Sequence, residues 1–365
     1  MKLECSSDKL KSVLIKLEKI TTKNTSLPIL GSVLLIFEKN NLVVRATNLS
    51  LGAEISIPSK SNEDGMLAVN GEILNGILAN IWKIENVFLE EKNGNLLLKT
   101  KNNSILVKTY TADDFPTLPK ITENPFKINT KSFIDGLKAV YYSSATSDIK
   151  PEFSSVYFHS DNDSIVFVST DSFRLAEKRI KTSEFLNIPG ILIPTKNVSE
   201  IIRILSDIQG DIKICFNKNQ ISIFSENLHI TSKTIDGNFP DYKQIIPKEF
   251  STEATVLKED LLNSLKISNL FSDKFNQINI EVKPKDKVFQ INSKNLDIGE
   301  NNTNIESSMN GENIELSINY KYIIDCFQSI GSDSINLRFN GQNKPMTIKG
   351  TTDNSFIYLI MPMNK

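Results

Sequence analysis

The chain has 365 residues, a formal net charge of −1, 39% hydrophobic and 23% charged residues. That length points to two or three domains of ordinary soluble composition. The near-zero charge argues against a protein that grips nucleic acid by bulk electrostatics, so any contact with a polyanion must be local, weak or topological. No apolar run is long enough to span a bilayer, and Glu4 stands where the apolar part of a secretion signal would begin. Cys5, Cys215 and Cys326 are odd in number, far apart and set in apolar patterns, which reads as reduced core thiols in a cytoplasmic protein. The two histidines, His159 and His229, lie in alternating strand-like runs. Read as structural, they leave little for histidine catalysis or a histidine-rich metal site.

In chain order, the first element is an amphipathic helix over Ser7–Leu17, with Leu10, Val13, Leu14 and Leu17 on one face. An alternating strand at Asn41–Thr47 follows. A second helix type runs through Val69–Leu78, opened by a strand end at Val69 and an N-cap at Asn70. Strands at Asn95–Thr100 and Ile105–Thr109 lead to Phe115-Pro116. The series then repeats. A helix over Thr130–Val140 places Phe133 123 residues after Leu10, and Ile193, with a cap at Thr195, lies 124 after Val69. A strand at Gln220–Phe224 precedes Phe239-Pro240, and that proline is 124 residues after Pro116. In the last third, a helix over Glu259–Ile267 places Leu261 128 residues after Phe133; Ile318, with a cap at Asn319, lies 125 after Ile193, and Pro362 lies 122 after Pro240.

Three markers on one period indicate a tandem triplication. The expected fold class is α+β, with domains at 1–122, 123–250 and 251–365. Each domain is two similar halves of one helix plus antiparallel strands, six half-units in all. Six such units suit an arc, and arcs close into rings when a head-to-tail contact repeats around a closing rotation. The outward helix faces carry Lys9, Lys11, Lys16 and Lys19, with Lys23 beyond, then Lys131, Lys138, Lys196, Arg203, Lys266 and Lys321. These are either solvated faces or a weakly basic lining around a polyanion. The helix after Asn70 carries Glu72 and no basic residue. Such a lining would touch phosphates only, which position a duplex without reading its sequence.

In the middle of the chain the run Ser164–Ser169 enters a polar turn at Thr170, Asp171 and Ser172, followed by Phe173, Arg174 and Leu175. Bulky apolar groups beside such a turn are core or a docking place.

Taken together, several short motifs resemble the bacterial DNA polymerase III β subunits, the DNA sliding clamps, over essentially the full length. They are Leu27–Gly31 with Thr47–Leu51, Ala112–Pro116, Ser169–Ala176, Asp236–Tyr242 and the terminal Met361–Met363. The resemblance implies a head-to-tail homodimeric ring with helices lining the hole, a processivity factor in DNA replication that encircles duplex DNA and needs no cofactor of its own. It implies as partners the DNA polymerase III catalytic subunit, a clamp loader, other polymerases, ligase and DNA repair proteins that carry clamp-binding peptides. No membrane role is implied.

The family's client-peptide cleft maps onto Phe153, in the strand before the turn, then Thr170, Ser172, Phe173, Arg174 and Leu175. It continues through Pro240, Gln244 and Ile245 to Tyr322, Pro345, Leu359, Ile360, Met361, Pro362 and Met363. Methionines suit a surface that adapts to several short apolar peptides, and a terminus containing proline is a poor central strand. The resemblance places DNA contacts at Lys23, Asn24, Ser147 and Lys150. It sets the dimer contact between the edge strand holding Ile105 and Val107 and the partner's Leu270 and Phe271; an unpaired apolar edge is an association site. The chain departs from the family's pattern at Ser172-Phe173 (often Gly-His or Gly-Tyr), at Gln244 (often Arg), and at Gly71-Glu72, where a basic pair is usual.

Two other classes are weighed against this. An enzyme assembled from Asp171, Ser172 and His229 lacks any nucleophile-elbow pattern, and the Asp113-Asp114 pair reads as a solvated turn. A repeat-domain scaffold without DNA binding is permitted by the triplication, but fits the lysine-bearing helix faces less well.

Overall fold

A computed structural model of the chain describes residues 2–22, 26–61, 63–81, 85–182 and 187–363. Among these residues one succession of elements recurs six times: a leading strand, a helix, and three further strands. The helices are α1 (Ser7–Leu17), α2 (Gly71–Asn80), α3 (Thr130–Val140), α4 (Thr195–Leu205), α5 (Lys258–Leu270) and α6 (Tyr320–Cys326). The expected triplication of two-helix units is the architecture.

Apolar spacing makes these helices, and caps set their starts. On α1, Leu10, Val13, Leu14 and Leu17 are all buried, and the equivalent Phe133, Leu137, Leu261 and Leu265 are fully inside. Asn70 caps α2 by accepting from the Ile73 amide at 2.9 Å, and Asn319 caps α6 by accepting from the Lys321 amide at 3.0 Å. The expected cap at Thr195 is a correction. Thr195 is already helical, and its hydroxyl donates to Ser144 Oγ at 2.7 Å instead.

Within each third the two halves exchange strands. The leading strand Lys2–Ser6 pairs with Asn86–Lys92, the first strand after α2, while Gly65–Asn70 pairs with Ser32–Glu38, the first after α1. The second third repeats this crossing, and so does the last. An isolated half would leave its leading strand without that partner, so each third requires both halves.

The chain gathers into two compact units, residues Met1–Ile134 with Lys196–Thr234, and Asp135–Thr195 with Ile235–Lys365. Residues 123–250 thus contribute to both. Among the described residues the first unit holds one 13-stranded sheet, continuous because Leu51–Ser61 pairs with Leu228–Lys233. The second holds a nine-stranded sheet, continuous through the pairing of Arg174–Lys181 with Phe356–Ile360, and a separate four-stranded sheet. Every such join is made by the last strand of a half-unit.

All three cysteines are buried and unpaired, and burial, with a smaller push from Glu4, takes the Cys5 thiol up to about 12. Two of the helix-face cations are engaged within the first unit. Arg203 donates to the Ile15 and Lys16 carbonyls, and Lys16 pairs with Asp207 at 3.0 Å. They are structural contacts rather than open lining.

Candidate functional site

The middle turn is built by its own short side chains. Thr170 Oγ1 donates to the Arg174 carbonyl at 2.6 Å, and Asp171 Oδ1 accepts from the Phe173 and Arg174 amides at 2.9 and 3.0 Å. This Asx-type arrangement holds Ser172 at φ 78°, a left-handed conformation that costs a non-glycine residue something and is sustained here by the surrounding bonds. The chain then enters the strand Arg174–Lys181, where Leu175 sits opposite Leu359. Cross-strand partners share a face, so both leucines join a cluster with Val166, Val168, Tyr242 and Ile357.

Above that cluster lies a cavity of about 330 Å³. Thr170, Ser172, Phe173, Arg174 and Leu175 form one wall; Leu359 and Met361 form the other, and Phe153, Pro240, Ile245 and Pro345 close the ends. Eleven of the sixteen residues expected in the cleft therefore line one groove. Phe173 is 61% exposed and Ile245 48% exposed, which leaves an apolar rim open to a partner. Phe153 lines the groove from a turn before the strand Ser155–Asp161, and not from a strand as expected.

The other five expected residues are placed differently. Ile360 is fully buried, because alternation along its strand turns it to the face opposite Leu359. Tyr322 lies beneath the Arg174 guanidinium, 4.6 Å from ring centroid to carbon. Gln244 is exposed and donates to Asp241 Oδ2 at 2.8 Å. Pro362 and Met363 follow the last strand, and the Met363 amide donates to the Ser317 carbonyl at 2.7 Å.

Sequence reasoning missed what holds Arg174. Its Nε donates to Asp171 Oδ2 at 2.9 Å, Nη1 to Asp325 Oδ2 at 2.5 Å, and Nη2 to the Tyr142 carbonyl at 2.7 Å. Asp325 is 151 residues away in sequence, and no local signal announces it. The fork fixes the groove wall to α6 and to the turn after α3, a geometry that a lysine ammonium cannot reproduce.

Of the expected DNA contacts, Lys23 and Asn24 lie outside the described residues. Ser147 and Lys150 are exposed in the loop after α3, with Lys150 Nζ 5.3 Å from the Phe153 ring centroid. For the dimer contact, Ser104–Val107 pairs only with Asn95–Lys99 and so has a free edge among the described residues. Along this edge strand Val107 is buried, Ile105 half-buried and Leu106 53% exposed. Leu270 is 65% exposed, and Phe271, half-buried, packs against Gly299 at 3.7 Å from where a Cβ would stand. Phe275, Leu296 and Ile298 add further exposed apolar surface in the same unit. His159 bonds its own neighbourhood, Nδ1 to the Ser160 carbonyl at 3.0 Å and Nε2 to the Tyr242 hydroxyl at 3.3 Å. His229 is buried against Phe224. Among the described residues no group of acids, histidines and cysteines has the arrangement of a metal site, and no helix is long and apolar enough to cross a membrane.

Among the described residues, six repeated β-α-β-β-β units carrying an open apolar groove define a clamp-type docking protein. Family models agree along the chain: the N-terminal domain of the DNA polymerase III beta subunit matches residues 1–119, the central domain 127–241 and the C-terminal domain 243–364. The chain belongs to the DNA polymerase III beta subunit family. It is 28% identical over 358 residues to the beta sliding clamp of Buchnera aphidicola, covering 96% of each chain, and 23% identical over 373 residues to that of Synechococcus elongatus, covering 100% of this chain and 99% of the other. Among solved structures, the Bacillus subtilis DNA polymerase sliding clamp superposes with a TM-score of 0.95 at 22% identity, and the Thermotoga maritima DNA polymerase III beta subunit with 0.94 at 22%; each covers 100% of this chain and 99% of its own. The protein is a sliding clamp and not an enzyme, and the DNA-free scaffold finds no support in these relatives.

Proposed function

We propose that two copies join head to tail into a ring that encircles duplex DNA and tethers the replicative polymerase through the groove at Leu175, Leu359 and Met361. The groove carries this reading: an open apolar channel walled by a rigid turn and a chain terminus fits a short extended peptide with one or two apolar anchors. Met361 and the exposed apolar rim at Phe173 and Ile245 suit several clients in turn. A polymerase catalytic subunit, a clamp loader, ligase and repair proteins would compete for it.

The strand order supports the dimer. Half-units one and four are joined by their last strands, as are three and six. That leaves the last strands of units two and five, Ser104–Val107 and Gly299–Asn304, each paired on one side only among the described residues. In the same pattern they pair between copies, with Leu106, Leu270, Leu296 and Ile298 covered on association. The three domains at 1–122, 123–250 and 251–365 then repeat around the ring. DNA is held loosely by phosphate contacts, Ser147 and Lys150 among them, and the buried unpaired cysteines suit the cytoplasm.

Primer extension on singly primed circular template tests the reading. With a clamp loader and polymerase, this protein should lengthen the product made per polymerase binding event, and Leu175→Asp should remove that effect while the dimer persists in sedimentation. Unchanged product length with the wild-type protein would refute it.

A further inference from the structure

The peptide groove has a structural counterpart in the first unit, and its floor has different chemistry. The turn at Thr47–Leu51 repeats the turn at Thr170–Arg174 bond for bond. Thr47 Oγ1 donates to the Leu51 carbonyl at 3.0 Å, and Asn48 Oδ1 accepts from the Ser50 and Leu51 amides at 3.0 and 2.8 Å. Leu49 takes the left-handed place of Ser172, at φ 71°. The neighbouring strand docks identically: the Lys233 amide donates to the Ser50 carbonyl at 2.8 Å, as the Met361 amide donates to the Phe173 carbonyl at 2.8 Å.

This register fixes the equivalences. Gly52 faces Thr231 where Leu175 faces Leu359. Lys233 stands where Met361 stands, and Pro116 where Pro240 stands. A cavity of about 290 Å³ lies at this second place, lined by those same positions. The facing leucine pair of the first groove is gone. Gly52 has no side chain, and its space is taken by Leu118, whose Cδ2 lies 2.3 Å from where a Cβ would be. Thr231 is 5% exposed and lines the cavity, and its Oγ1 has no hydrogen-bond partner in the structure. Other buried hydroxyls, such as those of Ser143 and Thr347, also lack a partner among the described residues, but Thr231 lies on a cavity wall, where a group entering beside it could accept from it. Lys233 is exposed at the mouth and makes no ion pair among the described residues, while Leu49, 43% exposed, supplies an apolar shoulder.

We infer that this is a second docking groove, for an extended peptide of a partner protein that presents a carboxylate beside an apolar residue. The carboxylate accepts from Thr231 Oγ1 and Lys233 Nζ, a charge-assisted pair that excludes the purely apolar anchor suited to the first groove, and the apolar residue lies between Leu49 and Leu118. The inference goes beyond the tethering role and adds a site with opposite selectivity.

The test uses the full-length protein and a fluorescein-labelled octapeptide with a leucine–aspartate–leucine core, read by anisotropy, with a control peptide bearing asparagine for aspartate. Saturable binding is expected, at least tenfold weaker for the asparagine peptide, at least tenfold weaker with Lys233→Glu, and at least threefold weaker with Thr231→Val. Met361→Ala should change it less than twofold, while Lys233→Glu should leave binding of a polymerase-derived peptide at the first groove unchanged. The inference is overturned if no saturable binding is seen, if the two peptides bind alike, or if Met361→Ala abolishes binding and Lys233→Glu does not. A polymerase peptide indifferent to Met361→Ala would count against the first groove alone.

Discussion

Arg174 is the most informative single substitution, because one side chain ties the groove wall to two other parts of its unit. Its side chain is 11% exposed and that of its partner Asp171 15%, so Arg174→Ala strands a carboxylate in a largely desolvated place. Removing one partner of a buried pair costs roughly 3–5 kcal/mol. The second partner, Asp325, is 42% exposed, and such a pair adds only about 0–1 kcal/mol. Loss of the stack on Tyr322 adds about 1 kcal/mol. These losses overlap, since the freed Asp171 gains water, and a total of about 4 kcal/mol is expected. At roughly 2–4 °C per kcal/mol for a unit of 150–250 residues, the melting transition should fall by about 10 °C. Urea melts followed by circular dichroism on wild type, Arg174→Ala and Arg174→Lys measure this directly. Lysine keeps the charge but cannot span Asp171, Asp325 and the Tyr142 carbonyl together, so it should recover less than half of the loss. A change under about 1 kcal/mol for alanine, or full rescue by lysine, would refute the reasoning.

Other outcomes follow from the same geometry. Deleting residues 361–365 should weaken a polymerase-derived peptide at least tenfold by titration calorimetry and leave the dimer intact, because Met361 lines the groove while the last strand ends at Ile360; loss of the dimer would make these residues structural. Leu106→Glu should shift the sedimentation equilibrium toward monomer without altering peptide affinity, since Leu106 is exposed on a free edge. Gly136→Ala, which in an open helix would stabilise by up to about 1 kcal/mol, should instead destabilise by about 1–3 kcal/mol, because the added Cβ would stand 2.4 Å from the Phe167 ring; a raised melting temperature would contradict that packing. Burial alone would raise the Glu54 carboxyl, but His229, whose Nδ1 lies 3.7 Å away, with Arg45 and Lys120, outweighs burial and holds it at about 2. A folded-state value below the unfolded one near 4.3 gives stability that is present above the unfolded value and lost as pH falls toward 2. Wild type should therefore lose stability more steeply than Glu54→Gln between about pH 5 and pH 2; parallel curves would rule the interaction out.

The repeat was legible because burial is periodic. Leu10, Phe133 and Leu261 had to lie on helix faces at one spacing, and the prolines at 116, 240 and 362 end equivalent segments. The groove was legible only through motif resemblance, and imperfectly. Ile360, the last residue of its strand, sits between the groove-lining Leu359 and Met361, and a run of adjacent apolar residues does not declare which faces inward. The same ambiguity hides which side chain of the edge strand is exposed; it is Leu106, between Ile105 and Val107. Asp325 and Tyr142 were invisible because the bonds to Arg174 close over long stretches of chain. The second groove was hidden for a different reason. Gly52, Thr231 and Lys233 share no chemistry with Leu175, Leu359 and Met361, and only the strand register equates them.

The central claim is topological confinement on DNA, and one measurement addresses it directly: loading the protein onto nicked circular duplex DNA, then cutting the circle once and following the complex by gel filtration. The ring account predicts that the protein travels with the closed circle at a salt concentration that screens phosphate contacts and is released when the circle is cut. Equal retention on circular and linear DNA, or none on the circle with an active clamp loader present, would contradict it.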